Sequence, residues 1–204
     1  MTPSRLLIAT TNPHKAEEIA AILPQLETVT LSEVFGDRIE TCPEDGDTFE
    51  ANARKKAVFY AERSGLPTLA DDSGIEVDAL DGKPGVHSAR WHGETTPYPV
   101  KNAHLLDLLR DVPDERRAAR FVCVAAYATP GGVVESARGT HEGRIAHEIR
   151  GIGGFGYDPV FFSVSEGATF AEIPAERKNQ VSHRARAMQA IAARIRAASP
   201  PSTP

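Results

Sequence analysis

The sequence predicts an α/β domain built on a mixed sheet. Strand-like and helix-like segments alternate early in the chain. A long alternating segment, Ala118 to Ala128, then runs through a Thr-Pro-Gly-Gly turn into a second strand-like run, which adds a hairpin to the sheet. The length of 204 residues, with 41% apolar and 25% charged residues, suits one ordinary domain with a sizeable core. No internal repeat appears and no linker divides the chain. One domain is expected over residues 1–198, with 199–204 as a flexible tail.

The elements follow in order. Arg5 to Ala9 reads as a buried strand and Thr10 to Lys15 as a turn. A helix from Ala16 to Leu23 stops at Pro24, with Asn12 suited to N-cap and Pro13 to the first helical position. Glu27 to Leu31 is a short strand. After a loop containing Pro43, Asp45 and Gly46, a helix is expected over Thr48 to Ser64, with Asp47-Thr48-Phe49-Glu50 resembling a capping box. Phe49, Ala53, Ala57 and Tyr60 share its core face, and Asn52 and Lys56 share another. Gly65-Leu66-Pro67 ends that helix. A brief strand, Thr68 to Ala70, leads to Asp71-Asp72-Ser73-Gly74, and a further strand is expected over Ile75 to Leu80. A turn-rich loop, Asp81 to Gly85, precedes a helix over Val100 to Arg110. The hairpin has strands at Ala118 to Ala128 and Val133 to Glu148. Gly151 to Asp158 is glycine-rich and is followed by Val160-Phe161-Phe162. The last helix begins near Ser182, with Met188, Ile191, Ala192 and Ile195 as its buried stripe.

A net charge of −5 argues against a partner of duplex nucleic acid but leaves room for a small anion held by a few local cations. Cys42 and Cys123 have no metal-type spacing, so two free thiols in a reducing cytosol are expected. The apolar run Leu6 to Ala9 is too short for a signal peptide. The apolar stretch Val122 to Ala128 is far below the ~18 residues that span a bilayer. The expected location is therefore the cytoplasm, with no membrane partner.

Five segments carry chemistry. Thr10 to Lys15 sits where a strand meets a helix N-terminus, whose unpaired N–H groups and partial positive charge suit phosphate, with Lys15 adding a full charge. It lacks the G-x-x-x-x-G-K pattern of a Walker loop. A capped helix with a surface lysine is the plain alternative. Asp71 and Asp72 are adjacent in a strand and point to opposite faces, so they should not share one job. A carboxylate beside phosphates calls for a cation between them. Magnesium is the expected one, and the same carboxylate can deprotonate an attacking water. The alternative is a solvated turn. Glu44, outside the first helical turn, is the better second metal ligand, while Asp47 and Lys55 read as solvated charges. Gly151 to Pro159 formally matches G-x-G-x-x-G, but Pro159 falls where a helix should begin, so a dinucleotide fold is rejected. What remains is backbone able to approach a flat ligand, with Phe155 or Tyr157 to stack on a base; core aromatics in a glycine loop are the competitor. Lys178, His183 and Arg184 are candidate donors to the carbonyl oxygens of a 6-oxopurine, or else surface cations. Ser182 is the expected cap of the final helix.

The order of these segments carries a resemblance. Ala9-Thr10 with Asn12 and Lys15 comes first, then Thr48-Phe49-Glu50 with Asn52-Ala53 and Lys56-Ala57. Leu69-Ala70-Asp71-Asp72-Ser73-Gly74, Gly85 to Arg90, Gly151 to Phe161 and Ser182-His183-Arg184 follow. The series closely resembles the inosine/xanthosine triphosphate pyrophosphatase family from about Leu7 to Ile195. The resemblance implies an elongated mixed sheet flanked by helices, in two lobes with a substrate cleft between them. It implies a homodimer that needs a divalent cation, magnesium or else manganese. It further implies cleavage of inosine, deoxyinosine and xanthosine triphosphates to the monophosphate and pyrophosphate, which keeps deaminated purines out of the nucleotide pool.

By motif match, Thr10, Thr11, Asn12, Pro13, His14 and Lys15 would contact the nucleotide, with Lys15 and Lys56 on the phosphates. Asp72 would be general base and metal ligand, Glu44 would assist with the metal, and Ser73 would touch substrate. Phe155, Gly156, Tyr157 and Asp158 would line the base and sugar pocket, and Lys178, His183 and Arg184 would complete base recognition. Thr11 departs from the glycine of many relatives and narrows the loop or adds a hydroxyl donor. Two other readings stay open. A non-catalytic nucleotide sensor would not need Asp72 and Glu44 near phosphates. A pyrophosphatase for modified pyrimidine or housekeeping nucleotides would not need the Lys178, His183 and Arg184 set.

Overall fold

The computed structural model of the chain describes residues 5–132 and 134–198. The strands are β1 (Leu6–Ile8), β2 (Thr28–Thr30), β3 (Thr68–Val77), β4 (Ala118–Ala128), β5 (Val134–Ile145), β6 (Phe161–Ser163) and β7 (Ala168–Thr169). The helices are α1 (Pro13–Ile22), α2 (Leu31–Phe35), α3 (Phe49–Ser64), α4 (Tyr98–Leu108), α5 (Ala175–Val181) and α6 (His183–Ala198). The strands form one seven-stranded sheet in the order β2-β1-β3-β4-β5-β6-β7. β1 runs parallel to β2 and β3, whereas β5, β6 and β7 pair antiparallel. The sheet is mixed, as the alternation followed by a hairpin predicts.

Local chemistry explains the element ends. Asn12 caps α1, its Oδ1 accepting from the N–H groups of His14 and Lys15 at 3.0 and 3.4 Å, so the helix starts at Pro13 rather than Ala16. Thr48 caps α3 by accepting from Ala51 N, but its third helical residue is Ala51, not an acid, so the expected capping box does not close. Gly65, left-handed at φ 69°, ends α3. The largest departure is β3. It runs unbroken through Asp71-Asp72-Ser73-Gly74, and Asp78–Leu80 turns as a 3-10 helix instead of extending the strand. Gly74 permits this, because a Cβ there would stand 2.3 Å from Ser88 Oγ and 2.5 Å from the Gly85 carbonyl. The expected return strand is found as Val134–Ile145; Val133 and the expected tail at 199–204 lie outside the described residues.

The chain divides into two compact units, one of Met1–Asp72, Cys123–Gly139 and Arg184–Pro204, the other of Ser73–Val122 and Thr140–His183. Each has its own apolar core. The first packs Leu6 and Ile8 of β1, Ile19 of α1 and Leu69 of β3 with Met188, Ile191 and Ile195 of α6. The second packs Ile75, Leu105, Leu109, Phe121, Phe161 and Phe170. Each such buried side chain is worth roughly 1.5–3 kcal/mol of transfer free energy. In the second unit Arg117, 1% exposed, donates to the carbonyls of Ile145, Leu109, Val112 and Ala146, so its charge is spent on backbone. No described helix is long and apolar enough to cross a membrane.

Candidate active site

In the first unit the chemistry centres on β3. Asp71 is fully buried, and its Oδ2 lies 3.1 Å from both Lys15 Nζ and Arg184 Nη2. Burial alone would raise its pKa, but the Lys15, Arg184 and Lys56 cations hold it far below the usual carboxylate range. Arg184 spends its other terminal nitrogen on Glu18, at 2.5 Å. Burial disfavours the Arg184 cation, yet Asp71 and Glu18 outweigh it and keep the guanidinium charged. Arg184 is thus held in an Asp71–Glu18 clamp, and a guanidinium at 1% exposure needs such carboxylates to stay buried.

Asp72, next along the strand, turns to other partners, as alternation requires. Its Oδ2 accepts from Asn52 Nδ2 at 2.9 Å, while Asn52 Oδ1 accepts from Gly46 N at 2.8 Å. Asn52 thereby couples α3, the 43–47 loop and Asp72. Burial pushes the Asp72 carboxyl above its ordinary pKa; Lys15, Lys56 and the Asn52 bond pull it down, and Glu44 adds to the rise. Lys56, one turn after Asn52, donates to the Asp71 carbonyl at 3.0 Å and pairs with Glu44. Burial disfavours its ammonium, but Glu44 and Asp71 raise its pKa overall. Lys55 pairs with Asp45 at the surface, as expected of a solvated face.

The helix-start segment is less committed. Thr10 Oγ1 accepts from Asn12 N at 3.1 Å, and Thr11, Pro13 and His14 are exposed. The cap spends the acceptor of Asn12 and leaves this end of α1 at the surface.

In the second unit Ser73 is half-buried, and the glycine loop closes on Asp158. Asp158 Oδ2 accepts from Phe155 N at 2.8 Å and from Lys178 Nζ at 2.5 Å. Lys178 Nζ also sits 4.8 Å over the Phe155 ring. Asp158 is 2% exposed, and its carboxylate anchors the loop. Tyr157 is also built into the packing. At 3% exposure it donates its hydroxyl to Ser88 O at 3.0 Å and meets Tyr98 edge-on. Phe155 is half-buried. His183 is buried and stacks on Phe121 with centroids 4.7 Å apart.

Three participants are absent from the expected set: Glu18, which holds Arg184; Asp71 as a cation clamp; and Asn102, which donates to Gly156 O at 3.0 Å. Asn102 had a readable signal, a polar residue in the stripe of Tyr98, Leu105 and Leu109. Glu18 had none, since its partner is 166 positions away.

Residues 6–194 match the model of the Ham1 family. The chain belongs to the Ham1 family. Its relatives include a protein of Geobacter sulfurreducens named dITP/XTP pyrophosphatase, 54% identical over 91% of this chain and 93% of that protein. A protein of the same name from Desulforamulus reducens is 47% identical over 91% and 92%. Among solved structures, the Ham1 protein of Staphylococcus aureus superposes with a TM-score of 0.83 at 35% identity, covering 96% of this chain and 100% of the other. The Ham1 protein of Coxiella burnetii gives 0.84 at 35% identity, over 95% and 99%. The Ham1 match takes in both units and every residue of the expected site.

Proposed function

We propose that the chain is a magnesium-dependent pyrophosphohydrolase of non-standard purine nucleoside triphosphates, converting inosine, deoxyinosine and xanthosine triphosphates to the monophosphate and pyrophosphate. The observation that carries this is Asp72, a buried carboxylate of raised proton affinity held by Asn52 beside Lys56. The names of the relatives, dITP/XTP pyrophosphatase, supply the substrate class.

In this reading Asp72 takes a proton from the water that attacks the α-phosphorus. The new oxygen–phosphorus bond forms as the bond to the α–β bridging oxygen breaks, and pyrophosphate leaves with the electron pair. The proton on Asp72 returns to solvent. Lys15 and Lys56 oppose the phosphate charge, and Asn52 holds the Asp72 carboxylate in the plane that receives the proton. Asp72 and Glu44 would hold the magnesium ion. Both act on Lys56, and their oxygen donors suit a hard cation. The ion, when bound, would neutralise phosphate charge and help acidify the water. Lys178 and His183 would donate to a 6-oxo group, and Phe155 would stack on the base. Activity of this kind clears deaminated purines from the nucleotide pool of the cytoplasm. A homodimer belongs to this reading, and light scattering should then return twice 22.0 kDa.

The test is product analysis with inosine and adenosine triphosphates, with and without magnesium. Pyrophosphate from the inosine nucleotide, little from the adenosine one and none without metal is the expected result. Orthophosphate as product would overturn the scissile bond, and tight binding without turnover would make the protein a sensor.

A further inference from the structure

Helix α4 makes two contacts with a single residue of the glycine loop. Asn102, 3% exposed, donates Nδ2 to the Gly156 carbonyl at 3.0 Å. Tyr98, one turn earlier, lies against the same residue: a Cβ on Gly156 would stand 3.6 and 3.8 Å from two atoms of its ring. Gly156 has φ 69°, a conformation that side chains resist, so it needs both glycine and support.

The same stretch of helix holds a second loop. Lys101, 1% exposed, donates Nζ to the Ala89 carbonyl, with that nitrogen 5.1 Å over the Tyr98 ring. The hydroxyl of Tyr157, the neighbour of Gly156, donates to the carbonyl of Ser88, the neighbour of Ala89. The contacts close a circuit from α4 to Ala89, Ser88, Tyr157, Gly156 and back to α4.

Packing does not call for an asparagine here. Leu105 and Leu109, further along the stripe, are wholly buried, and Asn102 Oδ1 has no hydrogen-bond partner among the described residues. A buried acceptor left unsatisfied costs stability, which an apolar residue of similar size would avoid. The side-chain bond it makes among the described residues goes to Gly156.

We propose that Asn102 and Tyr98 are positioning residues that fix Gly156, and through it the Phe155–Asp158 turn, so that the purine base is met by a preorganised loop. This rests on the reading that Phe155–Asp158 meets the nucleotide. A loop held this way lowers the ordering cost of binding and sharpens base discrimination without touching the scissile bond.

The experiment compares wild type, Asn102→Ala, Asn102→Ser and, as a control, Leu109→Ala, whose side chain belongs to the same core. KM and kcat are measured with inosine and adenosine triphosphates, alongside Tm. Asn102→Ala should raise KM for the inosine nucleotide about tenfold, leave kcat within about twofold and shrink the preference over the adenosine nucleotide. Leu109→Ala should lower Tm with KM and preference unchanged. Asn102→Ser, whose hydroxyl is too short to reach Gly156, should follow Asn102→Ala and decides the matter if the alanine variant does not fold. Asn102 variants with lowered Tm but wild-type KM and preference would reduce Asn102 to a structural role and overturn the proposal. Failure of the wild type to release pyrophosphate would instead sink the reaction reading, and this inference with it.

Discussion

Two adjacent carboxylates in one strand carry opposite electrostatic histories, and this separates their roles. Asp71 is held ionised by Lys15 and Arg184, so its folded pKa lies below its unfolded one. The stability it contributes is present above the unfolded value near 4 and is lost as pH falls through that value toward the folded one. Asp71→Asn should therefore cost about 3–5 kcal/mol, since it leaves buried Arg184 short of a counter-charge. Urea denaturation at pH 7 measures this, and a change under ~1 kcal/mol would mean the clamp is not what holds these cations. Asp72 has the reverse sign. Burial raises its folded pKa, so its ionised form costs stability once pH rises through that pKa. Asp72→Asn, which can still accept from Asn52, should then melt no lower than wild type. The same variant should lose at least ~10²-fold in turnover. In wild type, kcat/KM should fall on acidification as Asp72 gains a proton, and a profile flat from neutral to strongly acid pH would remove Asp72 as the base. The alternation rule told these two residues apart in advance, but it could not name their partners. Lys15 and Arg184 come from 56 and 113 positions away, and nothing local marks such pairings.

At the scale of elements, legibility tracked local chemistry. Asn12, Thr48 and Gly65 act where caps are expected, and Ala118–Ala128 is a strand over its whole expected length. Helix α2 was equally open to reading, because Thr30-Leu31-Ser32-Glu33 carries a capping box that closes in both directions. The unbroken β3 was not. Asp-Asp-Ser-Gly has the statistics of a turn, and only the long-range partners of Asp71 and Asp72, with the packing of Gly74 against Ser88, keep it extended. Helix α5 and the two-residue β7 are short segments whose form is set by packing rather than periodicity. The cap of α1 has a dual use in the proposed reading, as helix start and as part of the nucleotide contact. Asn12→Ala should cost about 1 kcal/mol of stability and also raise KM for inosine triphosphate. Asn12→Ser restores a capping oxygen, so it should recover most of the stability; full recovery of KM as well would confine Asn12 to capping.

For the whole molecule, a net charge of −5 sets a background that disfavours the proposed polyanionic substrate, so in that reading local cations and the magnesium ion prevail over it. Family membership and fold class were both open to sequence reading, because motif order and strand alternation survive without knowledge of contacts. The arrangement of charges inside each unit was not. Magnesium, in the proposed role, acts on chemistry rather than on folding. Each unit has its own apolar core, and the carboxylates proposed as ligands already have protein partners, Asp72 with Asn52 and Glu44 with Lys56. That differs from small metal-dependent domains, where the ion supplies the folding free energy. A chelator should therefore abolish pyrophosphate release from inosine triphosphate while leaving Tm within about 1 °C, since no core contact depends on the ion. Added back, magnesium should restore activity fully, and magnesium with inosine monophosphate should raise Tm progressively with ligand concentration. Loss of several degrees on chelation alone would show that the cation is structural, and undiminished turnover in chelator would remove it from the mechanism.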